Sequence, residues 1–280
     1  MVETNNIVEM DLDLGLYVDL NMNTLRECMC LAGSIYKYRE KVKTGTKLKL
    51  LNVDDILSCD IDGEVMSSGT NSRDIEYGVV IEHSRRRIYV VFRGSESLTD
   101  WYHDLIVSKV CLDEVSNVKV HKGGYLQLNE DGVYTDIKNV ILDLLSDSKY
   151  KDYQVYVTGH SLGGMLATLF TYILAKQESN LNLVCVSFAS PRVGNKGFRR
   201  DFDSLENVTH FRCFNTRDVV TYVPNFRYYH VGFRVKLYKD AIKVMAPFSD
   251  TNGASFWRWW SVGEHKCEEY CRRLRGININ

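Results

Sequence analysis

The sequence predicts an α/β fold, with a mostly parallel central sheet and helices on both faces. Three observations point there. From residue 77 onward β-rich runs alternate with helix-like runs, the order that builds a parallel sheet covered by helices. Leu183 to Phe188 is β-rich and apolar at consecutive positions, as befits a strand covered on both faces. Residues 155–170, VYVTGHSLGGMLATLF, pass from a strand-like to a helix-like composition through a turn holding three glycines around one serine. One glycine usually suffices for such a turn, so the extra two suggest a backbone bent to present a side chain.

Taken in order, Met22 to Tyr36 reads as an amphipathic helix, because Leu25, Cys28, Met29, Ala32, Ile35 and Tyr36 recur at helical spacing. Thr24 and Glu27 fit a capping box at its start. Tyr77 to Ile81 and Ile88 to Phe92 read as paired strands joined by the polar connection His83 to Arg87. Val133 to Leu145 reads as a helix, Gln154 to Val157 as a short strand and Leu162 to Lys176 as a helix. Thr209 to Phe214 and His230 to Leu237 read as further strands, and Glu264 to Leu274 as the last helix. The three prolines, at 191, 224 and 247, mark no linker, so 1–280 is expected to be a single domain. Within it, 1–70 is expected to be a helical wrap around a core spanning 75–275.

Charge bounds the partners. With 35 Lys and Arg against 36 Asp and Glu, nothing favours nucleic acid or an anionic membrane as the main partner. The N-terminus carries Glu3, Glu9, Asp11 and Asp13 but no apolar signal-like core. Leu162 to Ala175 is too short to span a bilayer, so no transmembrane segment is expected. The expectation is a cytoplasmic protein, with secretion left open. The eight cysteines read as mostly reduced and several as core residues. Cys28/Cys30 and Cys267/Cys271 are each closely spaced, but no second pair stands at zinc-like spacing, and no metal is expected.

Gly159-His160-Ser161-Leu162-Gly163 fits a nucleophile elbow, a sharp strand-to-helix turn that lifts a serine hydroxyl above a sheet. Glycines two residues either side relieve collisions with the neighbouring strand and helix. The N–H of Leu162, at the helix start, would then face a developing oxyanion. A serine needs a base, and the base an orienting acid. Asp218 follows the strand ending at Phe214, where such an acid belongs. Chain order leaves His210, His230 and His265, and His210 precedes the acid. His230 sits in a strand-like run and reads as a packed structural residue. His265 opens a helix-like segment from a loop, and is the favoured base.

With these blocks in hand, the chain resembles the class 3, or fungal-type, lipase family of α/β hydrolases. Val91-Phe92-Arg93-Gly94-Ser95 with Trp101 and Asp104-Leu105 is similar to the family's oxyanion and lid block. His121 to Gly124, the elbow with Gly164, Ser190 to Asn195, Asn215 to Pro224 and Tyr229 to Gly232 match further blocks in order. The similarity covers about residues 75 to 275.

The resemblance implies an α/β-hydrolase fold and a serine hydrolase of lipid carboxylic esters, with Ser161 as nucleophile, Asp218 as acid and His265 as base; the alternatives are a catalytically silent lipase-like interaction module and a non-lipid carboxylesterase. It implies Ser95 and Leu162 as oxyanion donors, with Asp104 holding Ser95. A plain turn at Ser95 and a helix-surface charge at Asp104 are the bland alternatives. Leu98, Trp101, Tyr102 and Leu105 share one helical face, which is either a lid that meets lipid or a core stripe. Phe256, Trp257, Trp259 and Trp260 either wall an acyl pocket or fill the core. The implied reaction needs no metal or organic cofactor. Its implied partner is a lipid ester at an interface, with transient membrane or droplet contact.

Overall fold

A computed structural model describes residues 8–11, 21–36, 43–73, 75–94, 108–247 and 261–277. In chain order they form β1 (Val8–Asp11), α1 (Met22–Ser34), β2 (Lys47–Val53), β3 (Leu57–Thr70), β4 (Glu76–Glu82), β5 (Arg87–Phe92), β6 (Lys109–Asp113), β7 (Val118–His121), α2 (Lys122–Asn129) and α3 (Val133–Ser146). There follow β8 (Gln154–His160), α4 (Leu162–Gln177), β9 (Leu183–Phe188), α5 (Lys196–Asp203), β10 (Val208–Asn215), β11 (Phe233–Leu237), β12 (Ile242–Met245) and α6 (Cys267–Gly276).

Ten strands make one sheet in the order β1-β12-β11-β10-β9-β8-β5-β4-β3-β2, while β6 and β7 pair apart from it. The centre, from β5 through β8, β9 and β10 to β11, is parallel. Helical crossovers make this possible: α4 carries the chain from β8 to β9, and α5 from β9 to β10. The pairings of β2, β3, β4 and β5 with one another are antiparallel, as is that of β11 with β12. The edge strand β1 pairs with β12 in parallel, so the sheet is mixed, with a continuous parallel block at its centre.

The sheet divides two apolar layers, and the period of two along each strand decides which residue serves which. On one side Ile88, Val90 and Phe92 join Val79, Ile81, Val155 and Val157 under α3 and α4. On the other, Tyr89 and Val91 join Val80, Val186 and Phe188 under α1 and α6.

Residues 1–70 correct the expected helical wrap. Among the described residues there, only Met22–Ser34 is α-helical, and β2 and β3 extend the sheet instead. Leu48, Leu51 and Val53, then Leu57, Ile61 and Val65, enter the core while charged neighbours face out. A register shift between Leu48 and Leu50 interrupts the alternation and hides the strand in the sequence. The capping box is also corrected. Asn21 caps α1, its Oδ1 accepting from the Asn23 N–H at 2.8 Å. Thr24 and Glu27 face inward: Glu27 Oε2 accepts from Arg87 Nη1 at 2.8 Å and Tyr89 O–H at 2.9 Å, and Thr24 Oγ1 accepts from Arg87 Nη2 at 3.1 Å. This network pins α1 to β5. Arg26 Nε donates to the Leu274 carbonyl at 3.1 Å, which pins α1 to α6. Among the described residues no helix is long and apolar enough to cross a membrane.

Glu27→Ala leaves the half-buried Arg87 guanidinium without its carboxylate. Breaking a buried pair from one side costs about 3 kcal/mol. Urea unfolding is expected to show a loss of that size, and a loss indistinguishable from that of a surface substitution would show that the network does not anchor α1.

Candidate active site

The site begins with a strained residue. Ser161 sits between β8 and α4 with φ 61° and ψ −124°, a backbone state costing on the order of 1–3 kcal/mol for a residue with a Cβ. Hydrogen bonds on both sides hold it there. Its N–H donates to the Phe188 carbonyl at 2.9 Å, and its carbonyl accepts from Gly164 N at 3.0 Å and Met165 N at 3.2 Å. The turn needs glycine at two places because backbone passes so close. A Cβ on Gly159 would stand 2.4 Å from the Gly163 carbonyl carbon, and a Cβ on Gly163 would stand 2.3 Å from the Phe92 carbonyl oxygen. Although Ser161 precedes α4, its hydroxyl does not cap that helix. It points instead at a ring from the far end of the chain.

His265 Nε2 lies 2.9 Å from Ser161 Oγ. On its other side, His265 Nδ1 lies 2.9 Å and 3.0 Å from the two Asp218 carboxylate oxygens. An ionised carboxylate only accepts, so Nδ1 carries the proton and donates to Asp218, and Nε2 accepts from the serine O–H. Asp218 is placed by the turn after β10, where its Oδ1 accepts from the Val220 N–H at 2.9 Å. Its Oδ2 accepts from Tyr270 O–H at 2.7 Å. All three residues are buried: Ser161 is 1% exposed, His265 1% and Asp218 0%.

A second layer fixes the imidazole. The His265 carbonyl accepts from His160 Nε2 at 2.8 Å, which assigns that proton and leaves His160 Nδ1 to accept from Tyr36 O–H at 3.2 Å. The two histidine rings lie with centroids 4.9 Å apart. Burial, and then His265 beside it, lower the His160 pKa to about 3, so this ring stays neutral. Asn215 Nδ2 donates to the Glu264 carbonyl at 2.8 Å and so ties the end of β10 to the turn carrying His265. His230, the alternative base, is elsewhere: its Nε2 donates to the Thr221 carbonyl at 2.6 Å. It lies in the loop ahead of β11, not within the strand, and burial holds its pKa well below the usual histidine value.

The structure thus brings Ser161, Asp218 and His265 together, with Leu162 as the first residue of α4. Helix geometry leaves the Leu162 N–H without an intrahelical partner. Ser95, Leu98, Trp101, Tyr102, Asp104 and Leu105 lie outside the described residues, as do Phe256, Trp257, Trp259 and Trp260. Gly94, next to Ser95, is described: a Cβ there would meet the His160 carbonyl at 2.6 Å, so the end of the β5 segment abuts the elbow. Sequence reasoning missed Tyr270, Tyr36, His160 and Asn215. A tyrosine five residues past His265 carries no motif of its own. Tyr36 was legible only as a position on a helix face.

The chain aligns with known proteins. A family model described as Lipase (class 3) matches residues 89–228. A lipase of Rhizomucor miehei is 37% identical over 154 residues, covering 53% of this chain and 41% of that protein. A protein named phospholipase A1-IIgamma, from Arabidopsis thaliana, is 33% identical over 171 residues, covering 53% of this chain and 41% of that protein. The chain therefore spans less than half the length of these sequence relatives. The solved structure of Rhizomucor miehei triacylglyceride lipase superposes with a TM-score of 0.75 at 28% identity, covering 89% of this chain and 94% of that one. An α/β-hydrolase fold follows.

Buried neutral histidines set a pH dependence. Burial lowers His160 and His210 to about 3 and His121 to about 4, from an ordinary 6.5, and depresses His230 as well. Below about pH 6.5 the unfolded chain binds protons that the native chain refuses, so stability falls as pH falls. Each such histidine contributes about 1.4 kcal/mol per pH unit until its native pKa is reached. Urea midpoints measured from pH 7 down to 5 are expected to decline, and His210→Gln to shallow the decline. A flat profile over that window would contradict buried neutral rings.

Proposed function

Because the chain belongs to the class 3 lipase family, we propose that it hydrolyses carboxylic esters of lipids through a Ser-His-Asp relay and an acyl-enzyme. One observation carries the reading: an unbroken chain of hydrogen bonds from Ser161 Oγ through His265 to Asp218, each about 2.9 Å long and closed off from water. Similarity to proteins named lipase and phospholipase A1 supports a lipid ester as the substrate class.

In the proposed reaction His265 Nε2 takes the Ser161 proton as Oγ attacks the acyl carbonyl carbon. The imidazolium that forms is stabilised by the Asp218 carboxylate, which is itself held by Tyr270 and the Val220 N–H. The developing oxyanion receives the Leu162 N–H, where the helix start adds a favourable dipole. The second donor in this reading is Ser95, which the resemblance supplies, with Asp104 holding it. His265 then protonates the leaving alcohol, and the acyl group remains on Ser161. Water, deprotonated by His265, attacks the acyl-enzyme, and the imidazolium returns that proton to Ser161 Oγ as it leaves, which frees the acid and restores the serine hydroxyl. Since Ser161 is 1% exposed, its surroundings must rearrange to admit substrate. Leu98, Trp101 and Tyr102 are the proposed contacts of that rearrangement with lipid at an interface.

The test compares variants on a short-chain p-nitrophenyl ester and on emulsified triacylglycerol. Ser161→Ala and His265→Ala are expected to lower kcat by roughly four to six orders of magnitude. His230→Ala is expected to lower stability and leave kcat within about ten-fold. Trp101→Ala should reduce turnover of emulsion more than of the short ester. Ester turnover that survives Ser161→Ala defeats the reading, and a collapse in His230→Ala with turnover kept in His265→Ala would move the base.

A further inference from the structure

Away from Ser161 the structure contains a cavity of about 510 Å³ lined by Lys109, Lys119, Lys196, Arg200 and Arg227. No carboxylate lines it. Five cations around one cavity are notable in a chain whose net charge is −1. Other cations of the described residues do find carboxylates, as Lys176 does with Asp201 at 3.1 Å and Arg217 with Glu264 at 3.2 Å, but these five form no ion pair among the described residues.

The cluster is built, not scattered. Gly194 bridges Val120 on one side and Tyr229 on the other, which joins β7, the approach to α5 and the loop ahead of β11. Asn195 tightens the joint: its Oδ1 accepts from the Lys119 N–H at 3.1 Å and from the Phe198 N–H at 2.8 Å, and its Nδ2 donates to the Asn117 carbonyl at 2.7 Å. Tyr228 O–H donates to the Ser108 carbonyl at 3.1 Å and draws Lys109 in. Lys109 Nζ then stands 3.8 Å from the Tyr228 ring centroid. Burial, then Arg227 and Lys119 nearby, push the Lys109 ammonium below its ordinary pKa. Like charges held together by a fixed backbone repel one another, and an anion relieves the repulsion.

Beside the cavity stands an apolar tip. Phe226 is 71% exposed, with the Arg227 guanidinium 5.0 Å from its ring centroid. An exposed aromatic ring next to a basic cluster suits the boundary between lipid headgroups and acyl chains, where the ring is buried and the cations meet phosphate. A soluble anion would engage the cations and leave Phe226 in water.

We propose that this basic pocket binds the phosphate-bearing headgroup of an anionic phospholipid and, with Phe226 inserted beside it, holds the protein on a charged lipid surface. This concerns attachment and not ester cleavage, so it stands apart from the Ser161 reading.

The full chain is mixed with phosphatidylcholine vesicles, with and without phosphatidylglycerol, and bound protein is measured by co-sedimentation. Expected are a preference for the anionic vesicles that weakens with salt, and a roughly hundred-fold fall in partitioning for the triple variant Lys119→Gln, Lys196→Gln, Arg200→Gln. A charge-matched control, Lys47→Gln, Lys149→Gln, Lys151→Gln, should keep the preference. Phe226→Ser should weaken vesicle binding and leave the binding of glycerol 3-phosphate unchanged. Both triple variants should cleave a soluble p-nitrophenyl ester at the unmodified rate, which shows that they are folded and separates attachment from catalysis. Equal losses in the two triple variants, or no preference for anionic vesicles, would overturn the proposal. So would binding of glycerol 3-phosphate or heparin without binding of vesicles, because the pocket would then serve a soluble anion.

Discussion

The architecture of the site depends on one backbone constraint: Ser161 is held at positive φ where β8 turns into α4. An L-residue with a Cβ does not rest there by preference. It stays because β5 runs so close to the turn that the Phe92 carbonyl leaves no room for a side chain at residue 163, and because residue 159 meets residue 163 across the bend. Strand packing that excludes two side chains thereby lifts a third above the sheet. The same approach brings Gly94 against the His160 carbonyl, so strain, packing and placement of the hydroxyl are one feature.

The second requirement is convergence over long sequence distance. His265 is 104 residues from Ser161 and 47 from Asp218. Asp218 is delivered by the end of β10, and His265 by the turn before α6. Tyr270 joins the two, because its hydroxyl accepts from the Asn215 N–H at 3.1 Å and donates to Asp218. α6 packs on α1, and α1 is held to β5 by Glu27, Arg87 and Tyr89. The polar side of an N-terminal helix thus bears on the position of an imidazole near the C-terminus. Lowering the His160 pKa has a related effect, since a neutral ring packed 4.9 Å from His265 adds no competing positive charge next to the imidazolium that a proton transfer would create.

Much of this was legible in the residues, and the reasons differ by element. The elbow was readable because its constraint is local, with glycines required at fixed offsets from one serine. Asp218 was readable as a carboxylate just past an apolar run, and His265 by chain order and loop position. The parallel centre followed from alternating periodicities. What escaped was written in long-range partners. Thr24 and Glu27 look like a capping box, yet their side chains bind Arg87 some 60 residues away. β2 and β3 were hidden by a register shift that breaks the alternation of one face. His230 was read as part of a strand, yet it lies ahead of β11 and its ring meets the Thr221 carbonyl in the short 3-10 turn after Asp218.

The account turns on Ser161 being the one serine made nucleophilic by His265. The most direct measurement treats the full chain with a fluorophosphonate and maps the adduct by intact mass and peptide mass spectrometry. The account predicts a single adduct, on the peptide carrying Ser161, that disappears when His265 is replaced by Ala. An adduct on another serine, or none in a preparation that turns over ester, would contradict it.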